Sequence, residues 1–183
     1  MRGPVVLHLL RHGQSTWNAA GLLQGCTPDV GLTARGRAQA RAAAALLATR
    51  PVGAVLASDQ RRALLTAVPV AAAHGLGVVA VAALREQCHG SWEGLPVAGR
   101  AERLAAAGPG WAPPGGESAA ALRARVACFL DDLLADPPPG EIVLVSHGET
   151  IRALAGAGHG PPANGAVLTI EVGEPAVASV RSA

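Results

Sequence analysis

Two histidine–glycine pairs stand directly after apolar runs that have the pattern of buried strands. The first run ends in Arg11-His12-Gly13, and the second, far downstream, ends in His147-Gly148. In open α/β sheets, ligands bind outside the carboxyl ends of the strands. We therefore expect two imidazoles and a guanidinium group to meet at one sheet edge, where they would bind an anion.

Further side chains of suitable type extend this set. Arginine binds phosphate or carboxylate oxygens in pairs, and a neutral histidine can attack phosphorus to form phosphohistidine. Nearby arginine cations lower the pKa of an imidazole, so they would both bind the anion and keep the nucleophile deprotonated. Arg62 follows another predicted strand, and Glu86 offers a carboxyl group that could protonate a leaving alkoxide.

Alternating apolar runs and helical patterns predict the elements that position these residues. The predicted strands are Pro4–Leu10, Val52–Ala57, Val78–Val81, Ile142–Ser146 and two closing edge strands, Val167–Val172 and Val177–Val180. The predicted helices run from the Thr33 N-cap to about Ala48, from about Gln60 to Ala73, within Pro96–Pro114, from Ser118 to about Ala135 and from Glu149 to about Ala155. This alternation is typical of a largely parallel sheet covered on both faces.

Local features add detail to two of these helices. In the helix after Thr33, one buried face is expected to consist of Ala38, Ala42, Ala45, Leu46 and Leu47. Ser58 and Asp59 can cap the next helix, and Pro69 is expected to kink it.

Length and composition exclude several classes of protein. The chain of 183 residues is expected to form a single domain over residues 1–183, and its net charge of +2 does not indicate a nucleic-acid partner. All its basic residues are arginines, and lysine and tyrosine are absent, which excludes a Schiff-base lysine, a P-loop lysine and a tyrosine acid. The uncharged stretch Ala63–Leu84 has membrane-spanning length, but Pro69 and Gly75 divide it into a helix, a turn and a strand.

The cysteines point neither to a zinc site nor to a disulfide framework. Cys26, Cys88 and Cys128 are odd in number and widely spaced. A reduced, cytoplasmic location is the simplest interpretation, with no membrane partner and no metal.

A series of short motifs then occurs in order over residues 5–155. They are Arg11–Asn18, Leu32–Ala40, Ser58–Ala67, Leu84–Gly94, Gly116–Ser118 and Ser146–Gly148. Together they resemble the histidine phosphatase superfamily, which includes the cofactor-dependent phosphoglycerate mutases, and in particular its small phosphatases. The resemblance implies a three-layer α/β/α sandwich with a mostly parallel central sheet.

The same resemblance implies a role for each matching residue. His12 would accept the phosphoryl group, Arg11, Arg62 and His147 would bind its oxygens, and Glu86 would be the proton donor. The other substrate-binding candidates are Ser15, Asn18, Gln24, His89, Gly148 and Glu149. No metal or other cofactor is implied.

The sequence leaves two questions about its carboxylates open. Glu93 lies close to Glu86 in the same connection, so the identity of the proton donor is undecided, although Glu93 is interpreted as structural together with Trp92. Glu149 follows the second histidine motif, where its charge would repel a second phosphate, which favours monophosphates as substrates.

The expected function is that of a metal-independent phosphomonoesterase that acts through phosphohistidine on a small phosphorylated metabolite. One alternative is a phosphoglycerate-type mutase, which would use the same His12 chemistry but needs more cover over the site to keep water out. Another is a non-catalytic module that binds phosphorylated ligands, although no catalytic residue is missing here. Dimerisation is common in the family, so a homodimer is a further alternative to a monomer.

Overall fold

The strands of the chain form one twisted sheet. The computed structural model describes residues 3–156 and 158–173. Within them the strands are β1 Val5–Arg11, β2 Val52–Ala57, β3 Val78–Ala80, β4 Glu141–Ser146 and β5 Val167–Val172. Their order is β3-β2-β4-β1-β5, and all neighbours are parallel except β5, which is antiparallel to β1. The predicted, mostly parallel sheet is confirmed, while the predicted strand Val177–Val180 lies outside the described residues.

The predicted helices are confirmed as well. They are α2 Ala34–Leu47, α3 Arg61–Ala73, α4 Arg100–Ala106, α5 Ala119–Ala135 and α6 Gly148–Ala155, preceded by a short α1, Thr16–Ala20. The predicted N-caps Thr33 and Ser118 accept hydrogen bonds from the backbone two or three positions into α2 and α5. Helix α1 was not predicted, because five residues are too few to show a helical period.

Alternating side chains of the strands build two cores, one on each face of the sheet. In β4, Val143 and Val145 pack with buried residues of α2 and α3. Ile142 and Leu144 face the other way and pack with α5 and α6. This two-sided burial makes the predicted α/β/α sandwich and explains why the central strands are apolar throughout.

The predicted buried face of α2 is wrong except for Leu47. The buried residues of this helix are Gly36, Ala40, Ala43, Ala44 and Leu47, whereas Leu46 is 65% exposed. Alanine is compatible with either face, so its repetition carries no period that marks the buried side. The packing of α2 against α3 decides which face is buried.

The beginning of α3 also differs from the prediction. Its N-cap is Gln60, which makes no side-chain capping bond, so the prediction that Ser58 and Asp59 cap this helix is wrong. Asp59 instead forms an ion pair with Arg85 in the connection after β3. The helix continues through Pro69 to its end.

The stretch Ala63–Leu84 is divided as predicted. It contains most of α3, a turn at Gly75 with φ of 67°, and β3. Nowhere in residues 3–156 and 158–173 does a helix have the length and apolar character that a membrane span requires.

The expectation of reduced cysteines does not hold for one pair. Cys26 and Cys88 form a disulfide, with a sequence separation of 62 residues, while Cys128 is free and exposed on α5. Sequence spacing gave no sign of this pair, because only folding brings the two segments together.

Candidate active site

Parallel pairing of β1 and β4 brings the two histidine motifs side by side. Arg11 is in register with Ser146, so both strands end at the same level. The backbone N–H of His12 donates to the Ser146 carbonyl at 2.9 Å, and the His12 and His147 ring centroids are 5.1 Å apart. The predicted meeting of two imidazoles at one sheet edge is confirmed.

These rings line an inner cavity of about 150 Å³ at the end of the sheet. The predicted site residues in its wall are Arg11, His12, Asn18, Gln24, Arg62, Glu86, His89 and His147. An outer chamber of about 480 Å³ adjoins it, shares Arg11, Glu86 and His89, and also contains Gly148 and Glu149. The inner cavity is therefore lined by the polar groups, and the outer chamber offers space for the rest of a ligand.

The tautomer of His12 is set by its own backbone. Its Nδ1 lies 2.7 Å from the Gly13 carbonyl, and a carbonyl only accepts, so Nδ1 carries the proton and donates it. The lone pair is therefore on Nε2. Burial, followed by the charge of Arg62, lowers the pKa of His12 to about 3, so the ring is neutral at pH 7.

His147 is also held neutral. Its side chain is fully buried, and burial together with Arg62 lowers its pKa well below the usual value. Neither ring nitrogen has a hydrogen-bond partner among the described residues. Buried polar atoms without a partner are rare in proteins, so the pair is suited to binding a ligand atom in the cavity.

Arg62 is fully buried at the beginning of α3 and is held by backbone carbonyls. Its Nη2 donates to the Gly25 carbonyl at 2.7 Å, and its Nη1 donates to the Thr27 carbonyl at 2.9 Å. Burial lowers its pKa to about 10, with Glu86 opposing the effect, so the group remains a cation at pH 7. Its buried Nε has no partner among the described residues and is left to bind an anion.

Arg11 provides a second guanidinium group in the wall of the inner cavity. Its Nη1 donates to the Pro162 carbonyl at 2.5 Å, and its buried Nε has no partner within the described part of the chain. Gly148 lies beneath it, since a Cβ there would come 3.5 Å from Arg11 Cζ. Two arginines and two neutral imidazoles thus surround one small space, an arrangement that can bind a tetrahedral oxyanion.

The structure distinguishes the two candidate proton donors by position. Glu86 lines both cavities, and its carboxylate accepts from the backbone N–H groups of Glu149 and Thr150 at the beginning of α6, each at 3.2 Å. Glu93 does not line the inner cavity. Its carboxylate accepts from the backbone of Cys26 at 2.8 Å and from the Thr27 hydroxyl at 2.6 Å, in agreement with its interpretation as structural.

Ser15 is placed differently from its expected contact with substrate. Its fully buried hydroxyl caps α1 and donates to Gln24 Oε1 at 2.7 Å, and Ser15 is not among the residues that line either cavity. Gln24 and Asn18 do line the inner cavity, and Asn18 Oδ1 accepts from the Ser15 backbone at 3.1 Å. Ser15 therefore orients the two amide side chains that line the inner cavity.

His89 lines both the inner cavity and the outer chamber, whereas Glu149 lines only the outer chamber of the two. His89 is only 7% exposed, and its Nδ1 has no partner in the described part of the chain. Burial lowers its pKa, so it too is neutral at pH 7. Burial, with Glu86 nearby, raises the pKa of Glu149, which forms an ion pair with Arg152 at 3.3 Å.

Three residues that support the site were not predicted from the sequence. Asn164 Nδ2 donates to the His12 carbonyl at 3.1 Å and to Asn18 Oδ1 at 3.2 Å. Thr66 Oγ1 accepts from the Gly13 backbone at 3.0 Å, and Pro162 binds Arg11 as described above. Thr66 belongs to one of the matched motifs, which could have marked it, but no local pattern marks the loop that carries Asn164.

Comparison with known proteins agrees with this arrangement. The family model described as the histidine phosphatase superfamily (branch 1) matches residues 7–177. A glucosyl-3-phosphoglycerate phosphatase of Mycobacterium tuberculosis is 38% identical over 169 residues, which cover 82% of this chain and 74% of that protein. A 2,3-bisphosphoglycerate-dependent phosphoglycerate mutase 2 of Gloeobacter violaceus is 36% identical over 165 residues, covering 81% and 73%.

A solved structure has the same fold. A mycobacterial glucosyl-3-phosphoglycerate phosphatase in complex with VO3 superimposes with a TM-score of 0.83 at 34% identity, covering 91% of this chain and 92% of that one. The match extends over nearly the whole described sheet and its helices.

Proposed function

The chain belongs to the histidine phosphatase superfamily, branch 1, and on this basis we propose that it is a metal-independent phosphomonoesterase acting through a phosphohistidine intermediate. The observation that carries the proposal is the inner cavity, where neutral His12 and His147 lie between the cations Arg11 and Arg62. This set of groups binds a phosphate dianion and also provides a nucleophile for it.

The substrate phosphoryl group occupies the inner cavity. The free Nε groups of Arg11 and Arg62 bind its oxygens, and His147 adds a neutral donor. Asn18 and Gln24 complete the contacts from the side of α1. Because the binding cations are arginines, a metal cation at the same place would be repelled, and the guanidinium groups supply the positive charge that a metal would otherwise provide.

His12 is the nucleophile. Its Nε2 lone pair attacks phosphorus in line with the ester oxygen, so that a P–N bond forms as the P–O bond breaks. The Gly13 carbonyl keeps the proton on Nδ1 and stabilises the cationic ring of the phosphohistidine that results. Arg11 and Arg62 offset the charge on the equatorial oxygens in the transition state.

Glu86 transfers the protons. It lies at the junction of the inner cavity and the outer chamber, where the leaving oxygen must pass. In its protonated form Glu86 gives its proton to the departing alkoxide. The resulting carboxylate then takes a proton from the water that attacks phosphorus, the P–N bond breaks to return neutral His12, and inorganic phosphate leaves.

The outer chamber accommodates the remainder of a small phosphorylated metabolite. Its volume of about 480 Å³ fits a sugar-sized or amino-acid-sized leaving group. Its wall carries Arg123 and Arg152 as well as Glu149, so the leaving group is polar. The similar mycobacterial protein is named for a phosphorylated, glycosylated glycerate, which belongs to this size class.

Substitution of the nucleophile tests the proposal. We expect His12→Ala to lower kcat/KM for an aryl phosphate by about 10⁴-fold or more, because no other group can accept the phosphoryl. His74→Ala, at the far end of α3 from Arg62, is the matched control and retains wild-type activity. Assays in excess chelator leave wild-type turnover unchanged, and retention of activity by His12→Ala would exclude the mechanism.

A further inference from the structure

The Cys26–Cys88 disulfide connects two segments that each carry part of the active site. We call residues 24–27 the arginine loop, because the carbonyls of Gly25 and Thr27 on either side of Cys26 hold both terminal nitrogens of Arg62. Residues 86–89 are called the acid loop, because they begin with Glu86 and end with His89, on either side of the second cysteine. The disulfide thus links the arginine loop, which holds the phosphate-binding Arg62, to the acid loop, which carries the proton donor Glu86.

The two loops are packed closely against each other around the disulfide. One oxygen of Glu93 accepts from the Cys26 backbone at 2.8 Å and from the His89 backbone at 3.0 Å. Gly25 is packed so closely that a Cβ there would overlap the Glu93 carboxylate. A change in the link between the loops therefore moves the atoms that position Arg62, and Arg62 binds the reacting phosphoryl group.

A small reductant can reach the disulfide from a surface cavity that shares only Glu86 with the inner cavity. Both cysteines are half-buried and line a surface cavity of about 500 Å³, beside Glu117 and Arg125. The inner cavity does not include either sulfur. The sulfurs are thus accessible from the outside while the atoms they position lie within.

We propose that Cys26–Cys88 is a redox site that controls the phosphatase, with the disulfide form active and the dithiol form impaired. A thiolate of a cellular or added dithiol attacks one sulfur to give a mixed disulfide, and its second thiol releases the protein thiol. The cysteine pair gains two electrons and two protons, and the dithiol is oxidised to a disulfide. The proposal rests on the phosphatase function proposed above.

The two cysteines act as positioning residues, and the test uses activity in both redox states. With chelator present throughout, so that free thiols hold no metal, we expect reduction by dithiothreitol to lower kcat/KM for an aryl phosphate about tenfold, as slight misplacement of binding groups does. Reoxidation restores the activity. Cys26→Ser and Cys88→Ser have the reduced activity and do not respond to dithiothreitol, whereas Cys128→Ser, at the free exposed cysteine, responds as the wild type does.

A second readout separates positioning from a merely structural role. The inhibition constant of vanadate, a mimic of the reacting phosphoryl, rises on reduction, because Arg62 is displaced. If the disulfide only stabilised the fold, its reduction would lower Tm and leave this constant unchanged, and that result would overturn the proposal. Equal activity in both states, with thiol titration confirming one free thiol before and three after reduction, would overturn it too.

Calorimetric binding of inorganic phosphate keeps this test distinct from that of the phosphatase function. If no phosphoester is hydrolysed in either redox state, the proposed function fails. A phosphate affinity that still falls on reduction would nevertheless support the link between the disulfide and Arg62, and an unchanged affinity would contradict it.

Discussion

His12 and His147 are buried beside Arg62, and burial together with this cation lowers the pKa of both imidazoles. The neutral rings are what phosphoryl transfer needs, because a protonated imidazole has no lone pair for phosphorus. The same burial has a cost, since each ring resists protonation that it would accept in the unfolded chain. The burial that keeps the imidazoles neutral for attack on phosphorus therefore also makes the folded state sensitive to acid.

The first prediction concerns stability in mild acid. The pKa of His12 is 6.5 in the unfolded chain and about 3 in the folded protein, so between these two pH values only the unfolded state binds the proton. The free energy of unfolding is therefore highest above pH 6.5 and decreases as the pH falls below that value, with a slope of about 1.4 kcal/mol per pH unit for this residue. Urea denaturation at about pH 6 and pH 5 measures it.

His12→Asn is expected to remove that part of the slope and leave the contribution of His147. The matched variant His74→Asn, outside the site, keeps the wild-type slope. An unchanged pH dependence in His12→Asn would mean that the ring is not held neutral by the fold.

A second prediction separates Glu86 from Glu93. Glu86→Gln should lower kcat/KM for an alkyl phosphate by about 10²- to 10⁴-fold, because the alkoxide needs a proton, but much less for p-nitrophenyl phosphate, whose leaving group does not. Glu93→Gln should lower Tm without changing this dependence on the leaving group, since Glu93 holds loops together. The reverse pattern would make Glu93 the acid.

At the scale of elements, the site depends on how closely α2 approaches the end of β1. Gly36, in the first turn of α2, lies against the backbone of Gln14, directly after the triplet Arg11-His12-Gly13. A Cβ at Gly36 would overlap the Gln14 carbonyl oxygen, and one at Gly13 would overlap that of Gly36. Both positions thus require glycine for reasons of space.

Gly36→Ala tests this approach. We expect it to lower the free energy of unfolding by about 1–3 kcal/mol, as overpacking does, although alanine has the better helix propensity. It should also lower kcat, because the strain lies beside His12. Gly31→Ala is the control: no atom lies within 4 Å of its added Cβ, and its effect should stay within about 0.5 kcal/mol. Equal effects in denaturant melts would refute the steric argument.

At the scale of the whole molecule, the parallel sheet gathers residues that are remote in sequence. The carboxyl ends of β1, β2 and β4 lie at one edge, so Arg11, Arg62 and His147 converge there although long segments separate them. The outer chamber lies beyond this edge and is bordered by the half-exposed Arg152, whose side chain is 47% accessible. A phosphohistidine formed at His12 would therefore be accessible to water.

This access predicts hydrolysis in preference to phosphoryl transfer between metabolites. When the enzyme is labelled on His12 and mixed with 3-phosphoglycerate, inorganic phosphate should form faster than bisphosphoglycerate, because a mutase must exclude water. Rapid-quench analysis of the two products measures the partition. Faster formation of the bisphosphate would favour the mutase alternative.

The convergence of the candidate site residues and the α/β/α sandwich were predictable because they depend on local signals. Apolar runs ending in histidine–glycine indicated the buried strands, and N-caps such as Thr33 and Ser118 indicated where helices begin. In a parallel sheet, these signals suffice to place His12 and His147 at one edge. The face of α2 was not predictable, because alanine packs equally well on either side.

The amino-acid sequence by itself determined which groups could perform the chemistry and at which sheet edge they stand. Only the tertiary structure decided which carboxylate faces the cavity, that Ser15 orients other side chains, that Asn164 supports His12, and that Cys26 reaches Cys88. The physical reason is the difference in range between the interactions involved. Strand pairing and capping depend on neighbouring residues, whereas these contacts join loops whose relative positions are set by the packing of the whole sheet.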